Sequence, residues 1–216
     1  MNKKIALTTV SLLLALSIAV NVVLADVFVG VKKGDYIVYK ATYTGNPPPG
    51  HSVTGARMEI VDVQGASLTI KITSYFTNGT NVDFTTTLNL ETGQLGDDFI
   101  IPANLKVGDI FYDKNVGNIT IAGSERRTYV GATRNIIYAT VSLNTYYWDQ
   151  ATGISVEGIS QTSDYNMHSL VDSTNMWQPQ IFGFDSLTFY WIMAIMIAVV
   201  AVIVASVAII FVRRRK

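Results

Sequence analysis

The chain contains no cysteine. That absence removes disulfides, thiolate metal sites, cysteine nucleophiles and a lipid-modified N-terminal cysteine. Whatever fold forms must hold by packing. The 216 residues suffice, because a domain of about 150 residues buries roughly two thirds of its chain surface. Histidine is scarce, with only His51 and His168. No Gly-x-Ser-x-Gly, Walker loop, dinucleotide fingerprint or paired zinc motif occurs, and so few histidines leave little base to activate a hydroxyl. A non-catalytic protein without metal or cofactor is therefore expected. An extracellular hydrolase stands third among the readings, since glycosidase carboxylates converge in space rather than along the chain.

Charge is also sparse at 15 % of residues, with 16 basic and 16 acidic side chains. Six of the bases (Lys3, Lys4, Arg213, Arg214, Arg215 and Lys216) lie at the two ends. Residues 26–186 hold ten basic against sixteen acidic residues, a net of −6, which argues against a nucleic-acid or anionic-lipid surface.

What the chain has in quantity is apolar sequence at its ends. Residues 1–25 read as a signal peptide or signal anchor: Lys3 and Lys4 precede an apolar run over 5–24, and Val23-Leu24-Ala25 ends it with a cleavage-site pattern. Residues 187–212 carry no charge, and 26 helical residues exceed the ~30 Å hydrocarbon core of a bilayer. Phe189, Tyr190 and Trp191 stand at the outer end of that run, and Trp177 precedes it, as interfacial aromatics would. Arg213 to Lys216 at the other end predict a cytoplasmic basic tail at 213–216. A domain at 26–177, a juxtamembrane linker at 178–186 and a transmembrane helix at 187–212 follow. The expected location is the cell membrane, with the bulk of the chain extracytoplasmic.

Residues 26–177 alternate with period two and are rich in Thr, Val, Ile and Tyr, which predicts strands. Candidates are 36–43, 54–63, 67–76, 82–90, 110–112, 118–122, 126–130, 135–143, 146–148, 154–162 and 165–171. Gly65, Gly79 and Gly153 supply the positive φ that tight turns need. Consecutive hairpins imply antiparallel pairing, and no helical period separates them. A mainly β fold is expected: an antiparallel curved sheet, open barrel or sandwich. Asn46-Pro47-Pro48-Pro49-Gly50 must be a loop. Lys33-Gly34-Asp35-Tyr36 echoes Val107-Gly108-Asp109-Ile110, and Glu91-Thr92-Gly93 echoes Ala151-Thr152-Gly153. Such pairs are common in turns, and the unequal intervals count against a regular repeat.

Several polar groupings have an ordinary explanation. His168 shares a strand face with Asp164, Asn166 and Asp172, a solvated face rather than a metal cluster. Asp97-Asp98 near Glu91 lacks the ligand spacing of a calcium loop and reads as an acidic turn. Asp149 reads as a cap on a turn. Arg126 and Arg127 point to opposite faces and suit ion pairing. Tyr36, Tyr39, Tyr43, Tyr146 and Tyr147 fit cross-strand packing, or else line a cavity. Asn78-Gly79-Thr80 and Asn118-Ile119-Thr120 match the N-glycosylation pattern.

Gly34-Asp35-Tyr36-Ile37-Val38-Tyr39, Ile101-Pro102-Ala103-Asn104-Leu105-Lys106-Val107-Gly108-Asp109 and Tyr146-Tyr147-Trp148-Asp149-Gln150-Ala151-Thr152-Gly153 resemble uncharacterised archaeal surface proteins with a signal, a β ectodomain and a C-terminal anchor. The resemblance implies a cell-surface location and carries no catalytic residue. A more distant similarity is to bacterial lipoprotein carriers, whose curved sheets hold acyl chains. The main expectation is a membrane-anchored binding or structural module of the cell surface, with the bilayer, surface proteins, glycans or an apolar ligand as partners and no nucleic acid. The alternative is a hydrophobic-ligand or lipid-binding carrier with a cavity on the concave face of the sheet.

Overall fold

The structure is a computed structural model and describes residues 27–47 and 53–214. The signal at 1–25, His51, Arg215 and Lys216 lie outside the described residues, as does most of the proline loop.

All eleven strand candidates form: β1 (Tyr36–Gly45), β2 (Val53–Gln64), β3 (Ser67–Phe76), β4 (Asn81–Asn89), β5 (Ile110–Asp113), β6 (Gly117–Thr120), β7 (Gly123–Tyr129), β8 (Ala132–Val141), β9 (Asn144–Asp149), β10 (Ser155–Gln161) and β11 (Tyr165–Thr174). Nine of them make one antiparallel sheet in the order β4-β3-β2-β1-β11-β10-β9-β8-β7, and β5 with β6 form a separate hairpin. The sheet is two meanders joined where β1 pairs with β11, Ala41 opposite Ser169 and Tyr43 opposite Met167. It is curved and open, not closed into a barrel.

Alternation sets one apolar inner face. Ile37, Met58, Ile60, Leu68, Ile70, Leu88, Ile137, Trp148 and Val156 are all buried there or against it, each fully buried apolar side chain contributing about 1.5–3 kcal/mol. The segment between β4 and β5 covers that face with Leu95, Ile100 and Ile101, and the β5–β6 hairpin adds Phe111 and Ile119. The cover protects one end of the sheet. At the other end the inner-face row of β4 emerges as exposed Phe84 and Val82.

The two sequence echoes are structural. Asp35 Oδ2 accepts from Lys32 N at 2.9 Å, and Asp109 Oδ2 accepts from Lys106 N at 2.8 Å. In both, the glycine amide then donates across to the next strand pair, Gly34 to Ile60 O and Gly108 to Ile121 O. Thr92 N donates to Asn89 Oδ1 and Thr152 N to Asp149 Oδ1, at 2.9 Å each. The turn pairs thus recur as whole hydrogen-bonded units.

The segment expected to be a linker is folded. Gln180–Ile181 (β12) pairs with Phe184–Asp185 (β13). Gln180 N donates to Gly131 O at 2.7 Å, tying this hairpin to the β7–β8 turn. Trp177, expected at a membrane interface, is instead packed into the domain at 7 % exposure. Its indole N–H donates to Tyr129 O at 3.3 Å and its ring lies under the Arg134 guanidinium. A buried indole must find an acceptor, and the strand end supplies one.

Helix α1 (Ser186–Arg214) starts where Asp185 caps it, accepting from Thr188 N at 2.9 Å and Thr188 Oγ1 at 2.6 Å. Those donors hold the Asp185 carboxyl below its usual range. Its 29 residues rise about 44 Å, long and apolar enough to cross a membrane. Arg213 and Arg214 lie in its last turn. Tyr190 and Trp191 are exposed near its start, and Phe189 packs against the 88 %-exposed Phe182 at 5.9 Å.

Candidate functional site

The inner face holds a cleft of about 240 Å³ where the cover stops short of β9, β10 and β11. Three strands meet in register there: Gly158 lies opposite both Tyr146 and Ser169, and Ser160 opposite both Asn144 and Met167. Gly158, Ser160 and Ser169 are small, so the sheet leaves space that a row of Ile or Leu would fill. Gly158 marks the floor, where a Cβ would come to 2.8 Å from Ser169 Oγ. Phe99, Tyr146 and Met167 make the walls predominantly apolar, with Asp97 and Asn144 also lining it. Larger hollows lie elsewhere: about 330 Å³ around Arg134 and Asp149, lined mainly by charged and amide groups, and about 510 Å³ beside Lys32 and Asp35, of mixed polar and apolar lining.

The cleft wall is anchored from below. Trp148 lies flat against Tyr146 at 5.6 Å and edge-on to Phe111 at 5.7 Å. Its Nε1–H donates to Asp98 O at 2.7 Å. Tyr39 packs on Phe99 and donates its hydroxyl to Ser155 O at 2.7 Å, and full burial pushes that phenol well above its usual pKa.

Asp98, between the lining residues Asp97 and Phe99, is not an exposed acidic turn residue. It is 4 % exposed, in the left-handed region at φ 54°, and turned toward Asp113, which is 1 % exposed. Asp98 Oδ1 and Asp113 Oδ2 meet no donor among the described residues. Burial, then Asp113 and Asp97, push the Asp98 carboxyl up to about 7.

The other polar groups are paired. On the opposite face of the sheet Glu157 Oε2 accepts from Tyr129 Oη at 2.6 Å and Arg127 Nη1 at 2.7 Å, and His168 Nε2 lies 2.9 Å from Oε1. Arg127 also meets Glu125 at 2.8 Å. Asp149 accepts a guanidinium fork from Arg134 besides capping its turn through Thr152. Among the described residues no group of three or more His, Cys, Asp or Glu is arranged to hold a metal ion.

Tyr39 and Tyr146 thus serve the core and the cleft. Asn78 sits at the exposed β3–β4 tip with its Oδ1 accepting from Thr80, and Asn118 is exposed on β6. The cleft was not legible from one strand, since its space arises from Gly158, Ser160 and Ser169 lying side by side. Asp113 was equally hidden, 15 residues from its partner in the chain.

No protein-family model and no curated protein sequence matches the chain. Among solved structures it has a likeness to the siderocalin Ex-FABP, described as functioning through dual ligand specificities, at 10 % identity and a TM-score of 0.25, over 66 % of this chain and 71 % of that one. A TM-score that low carries no assignment of fold or ligand.

Proposed function

We propose that the protein is a non-catalytic, extracytoplasmic binding module tethered to the membrane by α1, and that its cleft takes a small apolar ligand or one segment of a longer one, such as an acyl chain. The observation that carries the reading is the cleft itself: apolar walls, a floor of small residues and a few polar groups at the rim, the usual make-up of a small-molecule site. The composition of α1, with Arg213 and Arg214 following the apolar run, supports a cytoplasmic C-terminus.

A structural or protein-binding role is the second reading. It is favoured by size, since 240 Å³ falls short of the roughly 300 Å³ at which ligand pockets begin.

Photocrosslinking separates them. Full-length protein in membranes is exposed to an octyl chain bearing a diazirine, and labelled peptides are mapped. Label on the peptides carrying Phe99, Tyr146 and Met167, lost in Gly158→Leu while α1 stays labelled, is the expected result. Label confined to α1 in the wild type would leave only the structural role.

A further inference from the structure

Two carboxyl groups face each other in the interior with nothing between them. Asp98 comes from the loop that walls the cleft, and Asp113 from the end of β5. Asp113 Oδ1 is occupied by the amides of Asn115 and Val116, at 2.6 and 2.8 Å, leaving Oδ2 for Asp98. Two buried oxygens that both accept and find no donor are unfavourable together if both groups are ionised, because neither like charge is screened or paired. A single proton makes one of them a donor and satisfies both. The titratable groups bearing on Asp98 are Asp113, Asp97 in the same loop and Tyr146 of β9; none is basic. Among the described residues no fixed cation takes the proton's place, and two carboxylates fall short of the six to eight oxygens calcium prefers.

We propose that Asp98 and Asp113 share one proton, and that this proton latches the cleft wall, so that losing it loosens the segment that carries Asp97 and Phe99. The geometry links the pair to the cleft directly. Asp98 is held at a positive φ, a conformation that persists only while its surroundings impose it. Its carbonyl is tied to Trp148, on which the cleft residue Tyr146 is stacked. With the proton present the wall is closed. When it leaves, two buried anions repel, and the cheapest relief is for Asp98 to swing toward water and take Phe99 off Tyr39.

The sign follows from linkage. A carboxyl favoured in its protonated form by folding adds stability that is fully present below its unfolded value and is lost as pH rises through its folded value. With Asp98 held up to about 7, the window is pH 4 to 8. The latch is independent of any ligand; only its effect on ligand retention rests on the binding reading above.

The test uses full-length protein in lipid nanodiscs. Amide exchange of the peptide spanning 95–101, corrected for the chemical exchange rate, and the thermal midpoint are followed from pH 5 to 8 in wild type, Asp98→Asn and Asp113→Asn. An Asn at 98 donates an amide to Asp113 at every pH and mimics the protonated pair. The wild type should show exchange rising severalfold toward pH 8 with a falling midpoint, and Asp98→Asn should be flat in both. Parallel profiles in wild type and Asp98→Asn would overturn the latch, and so would a wild-type midpoint at pH 8 that millimolar calcium restores, since a metal ion would then occupy the place given to the proton. If Asp98→Asn fails to fold, Asp113→Asn carries the same comparison. Diazirine labelling of the cleft across the same pH range reads the effect on binding separately. A pH-dependent wall with no cleft label would keep the latch and reject the ligand.

Discussion

Removing the Arg134 side chain isolates the worth of one buried charge. Asp149 is 1 % exposed. Among the described residues its Oδ2 accepts only Arg134 Nε, at 2.7 Å, whereas Oδ1 accepts Arg134 Nη2 at 3.0 Å and both the amide and hydroxyl of Thr152. Arg134→Met keeps much of the side-chain volume over Trp177 but strands a carboxylate in the interior with one oxygen unpartnered. Breaking a buried pair from one side costs about 3–5 kcal/mol, a large share of the roughly 5–15 kcal/mol that holds a domain. For a chain of this length each kcal/mol moves the midpoint by about 2–4 °C, so a drop of roughly 6 to 20 °C is expected. Thermal unfolding followed by tryptophan fluorescence reads it. Asp149→Asn added to Arg134→Met should recover part of the loss, because the amide oxygen still caps Thr152 and the buried charge is gone. The contrast is Lys71, whose 2.8 Å bridge to Asp83 is exposed; Lys71→Met should leave the midpoint unchanged. A shift for Arg134→Met equal to that for Lys71→Met would refute the reasoning, since Asp149 would then have found water.

Trp148→Ala should cost about 3–5 kcal/mol in equilibrium unfolding, from the loss of a fully buried ring. It should also raise exchange at 95–101, because the Asp98 carbonyl loses its donor. Gly153→Ala should destabilise more than Gly65→Ala. Both residues have positive φ, but a Cβ at 153 collides with the Ile101 carbonyl whereas one at 65 meets nothing within 4 Å, so Gly65→Ala carries only the left-handed penalty of about 1–2 kcal/mol. Removal of residues 187–216 should move the protein from the membrane to the soluble fraction, as sedimentation of cell lysates would show.

The sheet's polarity joins these features. The β7–β8 turn, the Gly34-Asp35 turn and the start of α1 all lie at the covered end, where β12–β13 docks on Gly131. The hairpin tips at 77–80, 142–143 and 162–164 lie at the other end, with Phe84 and Val82 exposed toward it. The cover therefore leaves the inner face open on the side away from the helix start, and a ligand entering the cleft from there would pass Asn144 and Ser160 at the rim before reaching Phe99.

Strands were legible because alternation and turn glycines are local signals: the 67–76 segment matches β3 residue for residue, and the others differ at their ends by up to three residues. What escaped the sequence depends on distance across the fold. The β12–β13 hairpin has two residues per strand, too short for any period, and owes its form to Gly131. Trp177 looked interfacial because an aromatic before an apolar run has that appearance; its burial rests on partners distant in the chain, the Tyr129 carbonyl that accepts its indole N–H and the Arg134 guanidinium over its ring. Glu157 gave no sign of joining β7 to β11 through Arg127, Tyr129 and His168. The Gly-Asp and Thr-Gly echoes carried more than turn chemistry: both Asp side chains of the first pair accept from the amide three residues back, both of its glycine amides donate to an isoleucine carbonyl, and Thr92 and Thr152 both donate to the Asx side chain three residues back. The acid pair was least visible of all. A carboxylate in an acidic run is ordinarily solvated, and only the approach of the β5–β6 hairpin over the cover turns Asp98 inward to meet Asp113.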